Sequence, residues 1–268
     1  MIKKISLLTL VALLAVACTS VPVTGRKQLL LVSGSEMQAM SYSQYDKVLN
    51  ESKVITGTAD AKMIKRVGAN IQKAVEEYMA DKGLSDRLSG FAWDFNLIDE
   101  DVVNAWCMPG GKVAFYTGIL PVCEGEKGVA IVMGHEIAHA IAEHGAERMS
   151  QGLIAQGILT GVSVATMNES PAMQQVYQTA VGFGANVGIL KFSRQHESEA
   201  DEMGLIFAAM AGYDPSEAPK FWERMKALSS GGAPPEFLST HPSHDRRISD
   251  LNAQLPRAME IYQTHKRD

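Results

Sequence analysis

Apolar and polar positions along this chain of 268 residues follow patterns typical of helices and, in one region, of strands. Segments 36–50 and 59–80 carry helical patterns. Segment 91–98, "FAWDFNLI", alternates as a strand does, and strands are expected over 102–108 and 112–116 around the turn sequence "PGG". Most of the remaining chain is helical in pattern. We therefore expect an α+β fold that is mostly helical, with one small sheet.

The N-terminal segment has the features of a signal peptide. Lys3 and Lys4 form a basic start, and the rest of segment 1–17 is an apolar core too short to span a membrane. Small residues directly precede Cys18, so we expect cleavage before Cys18 and its diacylation, which gives stable membrane anchoring. An ordinary signal peptide cut nearby is the alternative. An extended arm is expected to follow over 18–33.

Residues 152–167, "GLIAQGILTGVSVATM", are almost uniformly apolar or small. The segment is shorter than the ~20 residues that a spanning helix needs. We expect a buried or interfacial helix, and a lid or a membrane contact are the alternatives.

The net charge limits the classes of partner that this chain can bind. The formal net charge is −5 and no Lys/Arg patch stands out, so nucleic acid is not an expected partner.

With Cys18 lipidated, Cys107 and Cys123 remain. They form either a disulfide or two separate buried thiols, because the expected compartment permits a bridge.

The segment "GVAIVMGHEIAHAIAEHGAERM" carries the candidate chemistry. His135 and His139 are four residues apart, which places both imidazoles on one face of a helix. Glu136 lies at the edge of that face, where it can reach a metal-bound water. This H-E-x-x-H pattern indicates two zinc ligands and a general base, and two structural histidines on a buried helix are the alternative.

A third ligand has to come from another segment. Ala142 and Gly145 break the longer pattern H-E-x-x-H-x-x-G-x-x-H. His144 would lie about 140° round a continuous helix from His139, so we interpret it as structural or surface.

The segment "FSRQHESEADEMGLIFAAMAGYDP" supplies the best candidates. Glu197 and Asp201 share a helix face, so Glu197 could bind the metal while Asp201 accepts the free ring N–H of a ligand histidine. Glu199 and Glu202 are expected to point elsewhere, into solvent. An acidic surface stripe on an ordinary helix is the alternative.

The pairing of "HEIAHA" with "FSRQHESEAD" resembles the membrane-associated zinc metallopeptidases that include HtpX and the CAAX prenyl proteases. The likeness is closer to their soluble lipoprotein and Oma-type branch. It extends to "NAWCMPGGKVAFYTGIL", "AGYDPSEAPKFWERM" and "HPSHDRRI". The resemblance implies a zincin-like peptidase domain over 56–268, after an arm and first helix over 18–55. It implies one Zn²⁺ per chain, held by His135, His139 and Glu197, with Glu136 as base.

The resemblance also implies a substrate strand ahead of the active-site helix. It corresponds to Asn104, Ala105, Trp106, Cys107 and Met108, which are expected to hold a peptide as an added strand. Trp106, Cys107 and Met108 depart from the smaller residues usual in that family, which leaves side-chain preference open.

His241, in "THPSHDRRI", matches the family position of a second donor to the reacting oxyanion. The resemblance thus implies a catalytic role for His241. A surface histidine that caps a nearby helix is the alternative, and Arg247 could anchor the segment by pairing with a carboxylate.

The leading functional hypothesis is a zinc endopeptidase of the cell envelope, a lipoprotein anchored through Cys18 that faces the periplasm from the outer membrane. Its expected substrates, by family analogy, are misfolded or unassembled envelope proteins. An envelope chaperone or assembly factor with a regulatory metal site is the alternative, and a zinc enzyme with a non-peptide substrate is a third possibility. Glu136 argues against a pure binding role, because binding needs no general base.

Overall fold

The computed structural model describes residues 18–167, 170–229, 235–241 and 246–266. The expected mostly helical α+β architecture is confirmed. The described helices are α1 (Gly34–Glu51), α2 (Ala59–Asp81), α3 (Leu120–Cys123), α4 (Glu126–Ile141), α5 (His144–Ala165), α6 (Pro171–Met210), α7 (Glu217–Ser229), α8 (Glu236–Thr240) and α9 (Arg247–His265). The strands are β1 (Cys18–Ser20), β2 (Lys27–Leu29), β3 (Val54–Ile55), β4 (Asp94–Ile98), β5 (Ala105–Met108) and β6 (Lys112–Tyr116).

The main sheet has the strand order β3-β4-β6-β5. Strands β4 and β6 are parallel, whereas β5 pairs with β6 antiparallel and is an edge strand. Helix α1 covers this sheet through Tyr45, which is buried and donates its hydroxyl to the Val113 carbonyl at 3.0 Å. The segment expected as an extended arm contains a small antiparallel hairpin of β1 and β2.

The apolar core lies between the sheet and the helices α2, α4 and α6. These helices supply fully buried side chains at helical spacing, and the central strands supply the opposite wall. Its largest members include Ile64, Ile71, Met79, Leu97, Phe115 and Phe207. The candidate site helix α4 is thus buried along nearly all its length, which fixes its position.

The helix expected over 128–149 is broken near its middle. α4 ends at Ile141, and Glu143 has a left-handed backbone conformation with φ of 57°. α5 then begins at His144 in a new direction. The position derived for His144 from a continuous helix is therefore wrong.

Of the buried or interfacial helix expected over 152–167, the buried option is wrong, because this part of α5 lies on the surface, and the interfacial option stays a prediction. Ile158 is 51% exposed and Val164 is 62% exposed. Within the described chain, helix α5 packs on α4, α6 and β2, and a Cβ at Gly152, Gly157 or Gly161 would meet nothing within 4 Å. In the same described residues, no helix has the length and apolarity to cross a membrane.

The two remaining cysteines are separate thiols. Cys123 is buried and Cys107 is partly buried, and neither forms a disulfide in the described chain. Burial raises the pKa of both thiols. Of the two alternatives, separate thiols are the one observed.

Helices α4 and α6 touch backbone to backbone at Gly134 and Gly204. A Cβ at Gly134 would lie 2.8 Å from the Gly204 carbonyl oxygen, and a Cβ at Gly204 would lie 2.8 Å from the His135 amide nitrogen. Both neighbours are main-chain atoms that cannot turn away. The contact therefore requires glycine on both helices.

We expect Gly204→Ala to lower the free energy of unfolding by about 1–3 kcal/mol, because the added methyl group overpacks a backbone contact. Urea unfolding of the metal-free protein measures the change. Gly157→Ala is the matched control: a Cβ there meets nothing within 4 Å, so alanine should be neutral or stabilising. Equal stability of Gly204→Ala and wild type would contradict this role.

Candidate metal centre and active site

Four side chains from three segments meet beside the Gly134–Gly204 contact. His135 and His139 come from α4, Glu197 from α6, and His241 follows α8. His135 Nε2 lies 3.2 Å from His139 Nε2 and 3.4 Å from Glu197 Oε2. His139 Nε2 lies 3.5 Å from Glu197 Oε1. His241 Nδ1 lies 3.4 Å from His135 Nε2 and 3.2 Å from Glu197 Oε1.

These separations fit a metal ion. Four ligand atoms held at about 2.1 Å around zinc in a tetrahedron lie roughly 3.4 Å apart. The donor set of imidazole nitrogens and a carboxylate is also the set that zinc prefers. The predicted ligands His135, His139 and Glu197 are brought together, and His241 joins them with its Nδ1 atom.

The protonation of Glu197 and of His139 suits metal binding. Burial acts to raise the pKa of Glu197, but the attraction of His139 and hydrogen bonds with His135 and His241 outweigh it and hold the pKa well below its usual range. Burial lowers the pKa of His139 well below its usual value. An ionised carboxylate beside a neutral imidazole is the state that a cation requires.

Glu136 lies beside the ligand group with a free carboxylate oxygen. Its side chain is buried, and its Oε1 has no hydrogen-bond partner in the described residues. That atom lies 3.4 Å from His241 Nε2. Burial, together with the nearby Glu197, raises the pKa of Glu136 to about 7. A carboxyl group with this pKa can take up and release protons near neutral pH.

Asp201 contacts the outer nitrogen of one ligand histidine, at the place expected. Its Oδ1 lies 3.0 Å from His135 Nδ1. Arg247, fully buried, donates to Asp201 Oδ1 at 2.8 Å and to Glu197 Oε2 at 3.1 Å. Its guanidinium also stacks 3.4 Å from the centroid of the Trp222 ring. Arg247 anchors α9 against both carboxylates, which the sequence suggested only as an option.

His144 and Glu199 do not lie where the sequence placed them. His144 is buried, and its Nδ1 lies 2.9 Å from His139 Nδ1. Glu199 is buried rather than solvated, and its Oε2 lies 3.3 Å from His144 Nε2. The other acidic residue, Glu202, does sit near the surface, where it pairs with Arg257 at 2.8 Å.

The N-terminal hairpin closes over this second group. Arg26, in the turn between β1 and β2, donates to Glu199 at 2.7 Å and to both oxygens of Glu147 at 2.8 and 2.6 Å. His196 lies 3.1 Å from Glu147 and stacks on His144 with ring centroids 4.3 Å apart. No sequence period points to these contacts, because they join residues 49 to 173 positions apart.

A cavity of about 660 Å³ opens beside the ligand group. Edge strand β5 lines it through Trp106 and Cys107, and Met37 and Phe91 also line it. Of the remaining residues of the expected substrate strand, Asn104 is buried and donates its side-chain amide to Glu236 at 3.0 Å.

Asn104 therefore contacts the start of α8 and does not line the cavity. Ala105 is buried against the core, and Met108 packs on the side of the sheet that faces α1. Of the predicted substrate strand, Trp106 and Cys107 thus present side chains to the cavity. The feature that its β5 residues share is the backbone of that edge strand.

Fold and site together define a metallopeptidase: an H-E-x-x-H helix, a carboxylate on a second helix within reach of both histidines, and an edge strand beside a cleft. Residues 65–255 match the model of peptidase family M48. The chain is 36% identical over 202 residues to the mitochondrial metalloendopeptidase OMA1 of Saccharomyces cerevisiae, covering 72% of this chain and 55% of that protein. It belongs to peptidase family M48, and the expected class, a metalloendopeptidase, is confirmed.

Further relatives extend this finding. The OMA1 metalloendopeptidase of Schizosaccharomyces pombe is 33% identical over 239 residues, covering 89% of this chain and 66% of that protein. The beta-barrel assembly-enhancing protease of Escherichia coli strain K12 is 32% identical over 162 residues, covering 58% and 33%. The chain therefore spans one third to two thirds of the length of these relatives. None of the three carries an HtpX or CAAX-protease name, so placement in that branch stays a prediction.

The expected location, a periplasm-facing lipoprotein of the outer membrane, is wrong. Relatives aligned over 72% to 91% of this chain are named as mitochondrial enzymes. The signal peptide predicted over 1–17 lies outside the described residues, as does the side chain of Cys18. Acylation of Cys18 stays a prediction.

We expect Arg247→Met to lower the free energy of unfolding by about 3–5 kcal/mol, because it leaves the buried carboxylates of Glu197 and Asp201 without their cation. Urea unfolding in the presence of a chelator measures the loss without a metal contribution. Arg246→Met is the matched control, since Arg246 is exposed at the preceding position. Equal losses for the two variants would contradict the anchoring role.

Proposed function

We propose that this protein is a zinc-dependent endopeptidase that acts on unfolded or unassembled polypeptides. The observation that carries the proposal is the ligand group of His135, His139 and Glu197 beside the unbonded carboxylate oxygen of Glu136. Zinc is inferred from the donor set and the spacing of its atoms. When bound, zinc supplies a Lewis acid that polarises a carbonyl oxygen and makes water more acidic.

Glu136 acts as the general base in this proposal. It takes a proton from the attacking water and later passes that proton to the leaving amine nitrogen. Its pKa of about 7 suits both transfers, because burial makes the ionised form less stable than in water. The amide of Cys107 donates to this carboxyl group, so strand β5 also sets the position of the base.

Strand β5 is the proposed substrate platform. Its outer edge has no partner strand in the described chain, and it runs along the cavity beside Glu136. An extended peptide can pair with that edge through main-chain hydrogen bonds, which depend little on side-chain sequence. A polypeptide must be locally unfolded to bind in this way. This requirement supports unfolded proteins as the substrate class.

The alternative, a chaperone or assembly factor with a regulatory metal site, is less well supported. The relatives of this chain described above are named as a metalloendopeptidase and a protease. A regulatory site would also have no use for a buried carboxylate beside the ligands.

We expect Glu136→Gln to retain zinc and lose nearly all cleavage of unfolded casein, because the ligands remain and the base is gone. Metal stoichiometry by mass spectrometry and a fluorescent casein assay measure the two effects. Glu202→Gln, at a surface ion pair, is the matched control and should cleave at the wild-type rate. Wild-type cleavage by Glu136→Gln would show that another group acts as base.

His241 is proposed to donate a hydrogen bond to the oxygen that becomes negative during attack. Its side chain is 12% exposed, with Nε2 3.4 Å from Glu136 Oε1 and Nδ1 3.4 Å from His135 Nε2. Its distances to His135 and Glu197 also fit a fourth metal ligand, so the two roles have to be separated by experiment.

We expect His241→Ala to lower kcat by roughly 10²–10³-fold, as loss of other oxyanion donors does, with zinc content unchanged. Steady-state kinetics and metal analysis test both parts. His265→Ala, at the far end of α9, is the control and should leave both quantities unchanged. Loss of zinc from His241→Ala would instead assign His241 as a ligand.

A further inference from the structure

The two ligand histidines differ in what contacts their outer nitrogens. His135 Nδ1 meets the carboxylate of Asp201 at 3.0 Å. His139 Nδ1 meets another imidazole, His144 Nδ1, at 2.9 Å. A ligand histidine usually donates its outer N–H to a carboxylate, a carbonyl or a water. The contact between His139 and His144 is therefore a different solution to the same requirement.

The positions of the ring protons determine which histidine donates and which accepts in this contact. If His139 binds a metal through Nε2, that atom is unprotonated and the proton sits on Nδ1. His144 Nδ1 must then accept, which places the proton of His144 on its own Nε2. That atom lies 3.3 Å from Glu199 Oε2, which can accept from it. With the His139 proton on Nδ1 and the His144 proton on Nε2, the contacts of His144 with His139 and with Glu199 are both hydrogen bonds.

The surroundings hold His144 in this orientation. It is 2% exposed, and its ring stacks nearly parallel on His196. Glu199 in turn accepts from Thr24 at 2.8 Å and from Arg26 at 2.7 Å. Each member therefore has a partner on its outer side, and the outermost partners come from the N-terminal hairpin.

We propose that His144 is a positioning residue that accepts the outer N–H of His139 and so fixes the ring orientation and tautomer of this metal ligand, with Glu199 and Arg26 holding His144 in place. The proposal rests on the proposed metal-binding function. Loss of such an outer partner typically weakens metal binding about 10–100-fold. The acceptor atom, rather than the bulk of the ring, is the feature that matters.

Two substitutions separate the acceptor from the rest of the ring. In His144→Asn the amide oxygen stands near Nδ1 and can still accept from His139. In His144→Gln the amide nitrogen stands near Nε2 and keeps the bond to Glu199, while the acceptor towards His139 is lost. We expect zinc affinity to fall about 10–100-fold in His144→Gln and clearly less in His144→Asn.

Competition with a chromophoric chelator measures Zn²⁺ affinity, and thermal unfolding of the metal-free full chain measures stability. A role in packing alone predicts the reverse order, because Gln preserves the contact with Glu199. Tighter zinc binding by His144→Gln than by His144→Asn, or equal binding by both, would overturn the proposal. His265→Asn and His265→Gln make the same changes at the end of α9, away from the metal centre, and should bind zinc as wild type does.

A second measurement on the wild type covers the case in which the His144 variants do not fold. Long-range ¹H–¹⁵N NMR spectra of the zinc-loaded protein report which ring nitrogen of His144 carries the proton. We expect the proton on Nε2, and a proton on Nδ1 would overturn the proposal. If the wild type binds no zinc at all, the proposed function fails instead, so the two failures are distinguishable.

Discussion

The close approach of α4 and α6 at Gly134 and Gly204 is the constraint on which the site depends. Two helices that meet with no side chain between them lie as near to each other as backbones can. Gly134 directly precedes His135, and Gly204 lies on the helix that carries Glu197 and Asp201. The carboxylates of one helix therefore reach the imidazoles of the other with their short side chains. A wider spacing would separate the ligand atoms beyond what one metal ion can bridge.

Charge is the second constraint on this buried centre. Glu136, Glu197 and Asp201 are all buried within a small volume, and their mutual repulsion would be severe without cations. Arg247 offsets part of this charge by bonding to both Glu197 and Asp201. The remaining negative charge favours a bound divalent ion. Burial raises the pKa of Glu136 to about 7, and the negative charge of Glu197 adds to this effect.

Sequence reasoning reached those parts of the site that depend on local spacing. The H-E-x-x-H face and the pairing of Glu197 with Asp201 follow from the period of a helix, and the three central strands follow from alternation and turn residues. The break at Glu143 was not predictable, because a non-glycine residue in the left-handed region gives no clear signal in a single sequence. That one residue moves His144 from the far side of α4 to the back of His139.

The burial of charged side chains could not be predicted from the sequence either. Glu199 looks like a solvated acid on a helix, and its burial depends on Arg26, which lies 173 positions away. Helix α5 is the opposite case: of the buried or interfacial helix expected there, the buried option is excluded, since apolar residues also occur on surfaces. Local patterns report what a segment can bury, and only the tertiary arrangement decides whether a partner is present.

The difference between the two histidine ligands follows from these charge constraints. Had His139 faced a carboxylate directly, as His135 does, a fourth buried anion would adjoin Glu136, Glu197 and Asp201. A neutral imidazole in that place moves the carboxylate of Glu199 one ring further out. There Arg26 can reach it from the N-terminal hairpin, so the added charge is paired where it lies. The hairpin that begins the described chain is thus tied electrostatically to the back of the metal centre.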